Sequence, residues 1–471
     1  MNSSSGSAGQ RKEGVCWGTE KVKRNKESPS YGAGADQSVF IFYNLLLLAF
    51  SFGALPIFAA KLVFSPQKRR VYAQKLGFLP WKTLEKMKGD PRVWIHAVSL
   101  GEVGAVHPLI RELRRVYPDA CLMLSTGTES GQKMARERLT EASGSFFFPW
   151  DYPWVVRKVI RRLRPDLFVI SETELWPNFL KIVKEEGAKT LLVNGRISDR
   201  SFRRYRKARF FFTAVLDNFD AMSMIRVQDG ERIITMGANP VHVSVNGNCK
   251  FDQAASYALP TLEEEVRKIA GINPQERVLV AGSTHEGEEE AAIKAFLRIR
   301  QSDPEALLIL APRHIDRSDR VVRLLEGQGI RDWVRRSRLD GEGRKGSKVV
   351  LWDTFGELFK VYSLATLVFC GGSLVPKRGQ NILEPAAWGK VVLYGPSMED
   401  FHDAHQFLSC AGAGIMVQNG EELTDRCLYF WNRPWELKER GEAGKEALLA
   451  QRGATQRNLE LVGKLLGRWN G

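Results

Sequence analysis

The sequence offers little to a metal ion or a redox couple. Its 471 residues hold six cysteines, and the closest two, Cys410 and Cys427, stand 17 positions apart. No CxxC pair exists, which excludes a zinc ribbon and a thioredoxin-type centre. The thiols read as small buried hydrophobes in a reducing compartment. Asp-x-Asp occurs nowhere, so the acidic pair that commonly holds a diphosphate-bound metal is missing. A Walker A sequence and a well-placed GxGxxG are also missing, which weakens an ATPase or Rossmann dehydrogenase reading. Of possible ligands, only Asp403 lies between His402 and His405, too few for a metal. No repeat or low-complexity segment interrupts the main body.

What is present is a divided charge. Hydrophobic residues make up 44% of the chain and aromatics 10%, enough to bury cores in two domains of roughly 200 residues. The net charge is +15. Residues 1–250 carry 39 basic and 23 acidic side chains (+16), whereas residues 251–471 carry 30 and 31 (−1). A cationic first half points to an anionic membrane, a nucleic acid or a phosphorylated substrate. Residues 1–37, rich in Ser, Gly, Lys and Glu, are expected to be a disordered extension. The 24 residues from Gln37 to Ala60 carry no charge. About 20 residues cross a bilayer core, so a membrane anchor helix is expected over 38–64. Lys21, Lys23, Arg24 and Lys26 precede it, and Lys61, Lys68, Arg69, Arg70 and Lys75 follow. Four against five leaves the orientation open.

Beyond residue 90, short apolar runs alternate with amphipathic stretches. Strands are expected at Arg92–Val98, Cys121–Ser125, Leu167–Ser171, Lys189–Asn194, Ala221–Ile225 and Val241–Val245. A second series is expected at Arg277–Ala281, Ala306–Ala311, Lys348–Trp352, Leu364–Cys370, Lys390–Tyr394 and Gly414–Val417. Two consecutive strand–helix series predict two doubly wound α/β domains, over 65–252 and 253–471, with ligands at the strands' carboxyl ends.

Polar residues crowd those strand ends. Glu102 follows the first strand at a helix start, where it is either a capping acid or a general base. Ser171–Asn178 sets Glu172 and Glu174 beside Trp176. Arg196, Arg200, Arg203, Arg204, Arg206, Lys207 and Arg209, opposed only by Asp199, form either a solvated basic helix or a face for anionic lipid or phosphate. In the second half, Ala281–Glu288 suits a phosphate or a sugar, and Arg313 suits a bidentate phosphate contact. Phe355, Gly356 and Glu357, then Gly371–Pro376 and Gly379–Pro385, follow later strands. There Glu384 is either a ribose contact or a simple cap.

These segments resemble one known family. His96-Ala97-Val98-Ser99-Leu100-Gly101-Glu102-Val103 is similar to a signature of the 3-deoxy-D-manno-octulosonic acid (Kdo) transferases, bacterial lipid A glycosyltransferases. So, in order, are Glu172–Asn178, Asn194-Gly195-Arg196, Gly247–Asp252, Gly282–His285, Pro312-Arg313-His314 and Asn381–Pro385, spanning residues 38–420. The resemblance implies a GT-B fold of two Rossmann-like domains behind an N-terminal membrane anchor. It implies Glu102 as general base, with Glu172 and Lys250 stabilising the transition state. It implies donor contacts at Pro312, Arg313, Phe355, Gly356, Glu357, Asn381, Ile382, Leu383 and Glu384. Arg378 stands where the family usually has the first glycine of a pair, and the 37-residue extension is atypical.

The resemblance implies inverting transfer of Kdo from CMP-Kdo to a phosphorylated lipid A precursor, lipid IVA, in lipopolysaccharide synthesis. Neither metal nor cofactor is expected. The basic residues Arg196 to Lys207 would face the acceptor and an anionic inner membrane, with the catalytic domains cytoplasmic and no nucleic acid bound. Two alternatives remain at this point: another inverting GT-B transferase with a different nucleotide sugar, and a membrane-tethered protein that binds anionic lipid without turnover.

Overall fold

The computed structural model describes residues 33–252, 258–339 and 343–468. The expected extension therefore lies almost wholly outside the described residues. These separate into two compact units, one of residues 33–252 with 451–468, the other of residues 258–450 without 340–342.

The first unit is built on a seven-stranded, all-parallel sheet in the order β3-β2-β1-β4-β5-β6-β7. The strands are β1 Arg92–His96, β2 Cys121–Thr126, β3 Gly144–Phe147, β4 Leu167–Ser171, β5 Lys189–Gly195, β6 Ala221–Met224 and β7 Val243–Val245. The central four are almost fully buried, as expected of strands covered on both faces. The helices are α1 Ala33–Phe64, α2 Pro66–Lys75, α3 Trp81–Lys86, α4 Leu100–Val116 and α5 Glu129–Arg138. After them come α6 Pro153–Leu163, α7 Pro177–Glu185, α8 Asp199–Tyr205, α9 Arg209–Leu216 and α10 Val227–Thr235. In α4, Val103, Val106, Leu109, Ile110 and Leu113 recur every three or four residues and all enter the core.

The second unit repeats the plan in the order β10-β11-β9-β8-β12-β13-β14, again all parallel. Its strands are β8 Val278–Thr284, β9 Leu307–Pro312, β10 Trp333–Arg335, β11 Val349–Leu351, β12 Leu367–Cys370, β13 Val392–Tyr394 and β14 Gly414–Met416. Strand order reverses between β1 and β4 in one sheet and between β8 and β12 in the other. Such reversals open a ligand crevice at the carboxyl ends.

All twelve expected strands are present, with ends shifted by a few residues. The two unexpected ones, β3 and β10, are short edge strands whose composition hides them. One opens on Gly144, and the other lies between Asp332 and Arg336.

Two boundaries need correction. The range 253–471 overruns the second domain, because the helix Ala454–Leu465 packs on α4 and β5 and buries Leu459 and Val462 in the first unit's core. Asp252 fastens this helix by accepting from Gly453 N at 2.7 Å and Thr455 N at 2.6 Å. The apolar helix also starts earlier than expected, at Ala33. Among the described residues no helix is long and apolar enough to cross a membrane, so the spanning anchor expected over 38–64 is not supported. The side chains of residues 54–64 lie outside the described residues, and before them polar positions in the run find partners on the protein. Tyr43 Oη donates to Asp151 Oδ2 (2.9 Å), Asn44 exchanges hydrogen bonds with Asn178, and Ser51 Oγ lies 2.5 Å from Tyr152 Oη. With buried Val39 and Phe40, these residues dock one stripe of α1 on the first unit.

Candidate functional site

Glu102 sits in the first turn of α4, at the strand-order reversal. Its carboxylate accepts from Val98 N (Oε2, 2.9 Å) and Ser99 Oγ (Oε1, 2.9 Å), and Ser99 Oγ in turn accepts from Glu102 N at 3.4 Å. Ser99 is thus the N-cap, and the Glu102 side chain reaches back past it to Val98 N, so the capping role is real. Capping alone does not explain its acidity. Burial, and then the charge of Glu172, push the Glu102 carboxyl up to about 7, against opposing hydrogen bonds from Val98 and Ser99. A carboxyl held near neutrality is suited to gain and lose a proton at physiological pH.

Glu172 stands at the end of β4, in the left-handed region at φ +59°. A non-glycine residue there is strained, and such strain concentrates at functional positions. Its carboxylate pairs with Lys250 Nζ at 3.1 Å. The neighbouring Glu174 carboxyl is raised by burial. Lys250 lies in a helical turn, residues 249–252, whose entry is held from two sides. Asn194 Oδ1, on a residue at φ +53°, accepts from Cys249 N at 3.0 Å. From the C-terminal helix, Arg457 donates to Asn246 O at 2.8 and 3.1 Å, and Asn458 reaches Cys249 Sγ at 3.3 Å. The three residues expected to be catalytic are thus gathered in one unit. His96 is structural in kind: it is buried, stacks on Phe148 at 3.8 Å, and is lowered by burial to about 3, so it stays neutral.

Arg196 is half-buried, its backbone bound to Thr173 Oγ1. Arg200, Arg203, Arg204, Arg206 and Lys207 are exposed, while Phe202, Tyr205, Phe211 and Phe212 turn inward onto the core. The run is therefore amphipathic, with a cationic outer face.

In the second unit, Pro312 ends β9 and Arg313 follows, with its N–H donating to Thr284 O at 2.9 Å. The Arg313 charge acts on Glu384, whose carboxyl burial nevertheless pushes up to about 7. Asn381 Nδ2 donates to that carboxyl at 3.2 Å, and Asn381 Oδ1 accepts from Leu383 N. Ile382 and Leu383 are core side chains. Phe355 is exposed beyond the end of β11, beside β9. Glu357 is already committed: it accepts from Arg336 (3.1 Å), Trp352 Nε1 (3.2 Å) and Thr354 Oγ1. Burial alone would raise its carboxyl, but the Thr354 and Arg336 contacts outweigh burial and hold it below the ordinary value. Arg378, which stands in place of a glycine, is paired with Asp400 at 2.7 Å. Its φ of +68° accounts for glycine being the usual residue there.

One residue was missed. Glu288 is fully buried and accepts four backbone N–H groups: His285 (2.9 Å), Gly372 (2.6 Å), Ser373 (2.9 Å) and Leu374 (2.8 Å). It clamps the loops after β8 and β12, the pair flanking the second crevice. In sequence it is the first of three glutamates opening a helix, a pattern that reads as capping; only the fold supplies its partners. Among the described residues, no three His, Cys, Asp or Glu side chains are grouped to hold a metal.

Comparison with known proteins fits this geometry. A solved glycosyltransferase from Rickettsia africae aligns with 81% of the chain at TM-score 0.50 and 13% identity, covering 100% of that structure. A UDP-GlcNAc 2-epimerase from Neisseria meningitidis aligns with 79% at TM-score 0.54 and 12% identity, also over its full length. With two parallel seven-stranded α/β units, the fold class is GT-B-like. A family profile described as 3-deoxy-D-manno-octulosonic-acid transferase matches residues 70–253. A 3-deoxy-D-manno-octulosonic acid transferase from Haemophilus influenzae is 31% identical over 435 residues, covering 91% of this chain and 99% of the relative. The chain belongs to the Kdo transferase family, and it is a glycosyltransferase.

Proposed function

We propose that the chain transfers Kdo from CMP-Kdo, with inversion, to a sugar hydroxyl of a phosphorylated lipid A precursor such as lipid IVA. The observation that carries the mechanism is Glu102, a capped and buried carboxyl raised to about 7 beside Glu172 at the strand-order reversal. As the hydroxyl attacks the anomeric carbon, Glu102 takes its proton, a contribution of about 10²–10⁴ in rate. The Glu172–Lys250 pair sets the local field, and the Lys250 ammonium favours negative charge developing nearby. In the second unit Arg313 binds the single phosphate of the departing cytidine monophosphate, and Glu384 and Asn381 take the nucleoside. One phosphate with a guanidinium partner calls for no bridging cation, so the proposal includes neither metal nor cofactor.

The site of action follows from chemistry and surface. CMP-Kdo is a cytosolic nucleotide sugar, which puts the catalytic units on the cytoplasmic side of the inner membrane. On the outer side of α1, Ile41, Phe42, Leu45, Leu46, Phe50 and Phe52 are exposed, Phe50 at 73% and Phe52 at 77%. Such an exposed apolar face suits the boundary between lipid headgroups and acyl chains, and the cationic face Arg200–Lys207 adds attraction to anionic lipid. The test is Glu102→Gln, which should retain cytidine monophosphate binding and lose transfer. Near-wild-type turnover would remove Glu102 as base.

A further inference from the structure

A cavity of about 780 Å³ opens in the first unit between α2 and α5, at the carboxyl end of β3. It is large enough for a sugar headgroup, since ligand pockets run from roughly 300 to 1,000 Å³. Two kinds of surface line it. Val71, Pro80 and Phe147 supply apolar faces, and Arg70, Lys133 and Arg136 supply cations. The carboxylates present are Glu129 and Glu137. Three cations face two carboxylates, and Glu137 lies 4.0 Å from Lys133, so the excess of one positive charge falls on the guanidinium pair. Guanidinium groups bind phosphate bidentately, and the flat apolar faces suit the C–H faces of a sugar ring.

Hydrogen bonds tie the cavity to the base. Lys75 Nζ donates to Gly127 O at 3.2 Å. Gly127 N and Thr128 Oγ1 donate to Val98 O at 3.0 and 3.1 Å. Val98 N donates to Glu102 at 2.9 Å. The turn that opens α5, and with it one cavity wall, is thereby fixed against the Glu102 loop. The other wall, α2, follows the apolar helix α1 directly in the chain, with Ser65 capping it.

We propose that this cavity receives a phosphomonoester of the acceptor headgroup, held by Arg70 and Arg136, and so aligns the acceptor sugar with Glu102. This rests on the glycolipid acceptor proposed above. Phosphate of this kind has two sources, the acceptor itself or a bilayer phospholipid, and the cavity is assigned to the acceptor.

The test uses full-length wild type and Arg70→Gln/Arg136→Gln in detergent micelles free of phospholipid. The acceptor is supplied as such and after phosphatase treatment. Dephosphorylation should lower wild-type kcat/KM by about 10- to 100-fold. The double variant should show that loss already on the phosphorylated acceptor, lose little more on the dephosphorylated one, and keep its KM for CMP-Kdo. Undiminished discrimination by the variant would overturn the assignment. So would intact micelle kinetics with weakened binding to anionic vesicles, which would give the arginines to the bilayer. Calorimetry with the deacylated, phosphorylated headgroup, without donor, reads the cavity independently of turnover. Binding that the double substitution abolishes supports the cavity even if wild type fails to transfer Kdo, an outcome that would remove the proposed reaction alone. Equal binding by wild type and variant would sink the cavity.

Discussion

Replacing Glu102 with glutamine should stabilise the protein at alkaline pH while abolishing its chemistry. In the folded chain the carboxyl is raised from 4.5 to about 7, first by burial and then by the Glu172 charge. Its folded value lies above its unfolded value. The stability it permits is therefore fully present below about 4.5 and lost as pH rises through about 7. Near 1.36 kcal/mol for each factor of ten in acidity, this raised carboxyl has lost the fold roughly 3 kcal/mol by pH 8.5 but under about 1 kcal/mol by pH 5, where it is still protonated in the folded chain. Glutamine has no such proton to lose. Its single carbonyl oxygen can serve Val98 N or Ser99 Oγ but not both as well as the carboxylate does, a loss of about 1 kcal/mol at either pH. The variant should thus be close to wild type at pH 5 and about 2 kcal/mol more stable at pH 8.5. Denaturant unfolding at the two pH values reads this directly, with tryptophan fluorescence as signal. A gap between variant and wild type that stays constant with pH would show that burial does not strain this carboxylate, and the argument for a base poised near neutrality would fail.

Three further outcomes follow from the same geometry. Transfer should rise between pH 6 and 8 as Glu102 ionises, and Glu172→Gln should move that inflection to lower pH by removing a neighbouring negative charge; an unmoved inflection in the kcat/KM profile would separate the two residues. Glu288→Gln turns an N–H toward backbone N–H groups that now bond a carboxylate oxygen. It should raise KM for the nucleotide sugar about tenfold while leaving KM for the acceptor within about twofold, and equal changes in both would mark a merely structural residue. Leu459→Ala, in the C-terminal helix, should cost about 2–5 kcal/mol in the unfolding of the first unit despite its distance in sequence, because it empties a buried core position. A change confined to the second unit's unfolding would contradict the corrected boundary.

The parallel sheets were legible because their central strands are continuous apolar runs buried on both faces, as at Leu167–Ser171. The edge strands β3 and β10 were not, since half-exposed strands of three or four residues carry no comparable signal. Glu102 and Glu172 stood out as polar residues at strand ends, Lys250 only through the family resemblance, and the fold brings Lys250 to Glu172 across 78 positions. Glu288 stayed hidden because its four partners come from two loops, three of them more than 80 residues away. The C-terminal helix was misassigned for a similar reason. Its amphipathic pattern says that it packs, not on which unit. In α1 the uncharged run suggested a bilayer crossing, but Tyr43, Asn44 and Ser51 are polar positions whose partners lie on the protein, which hydropathy alone does not register.

The central claim is a sugar transfer in which Glu102 is the base, and it is tested most directly by mass spectrometry of the lipid product. Purified protein is incubated at pH 8 with CMP-Kdo and a tetra-acylated lipid A precursor. Wild type should shift the precursor by the mass of one or more Kdo residues, and Glu102→Gln, still binding cytidine monophosphate, should leave it unshifted. Unshifted precursor with wild type, or a full shift with Glu102→Gln, would contradict the account.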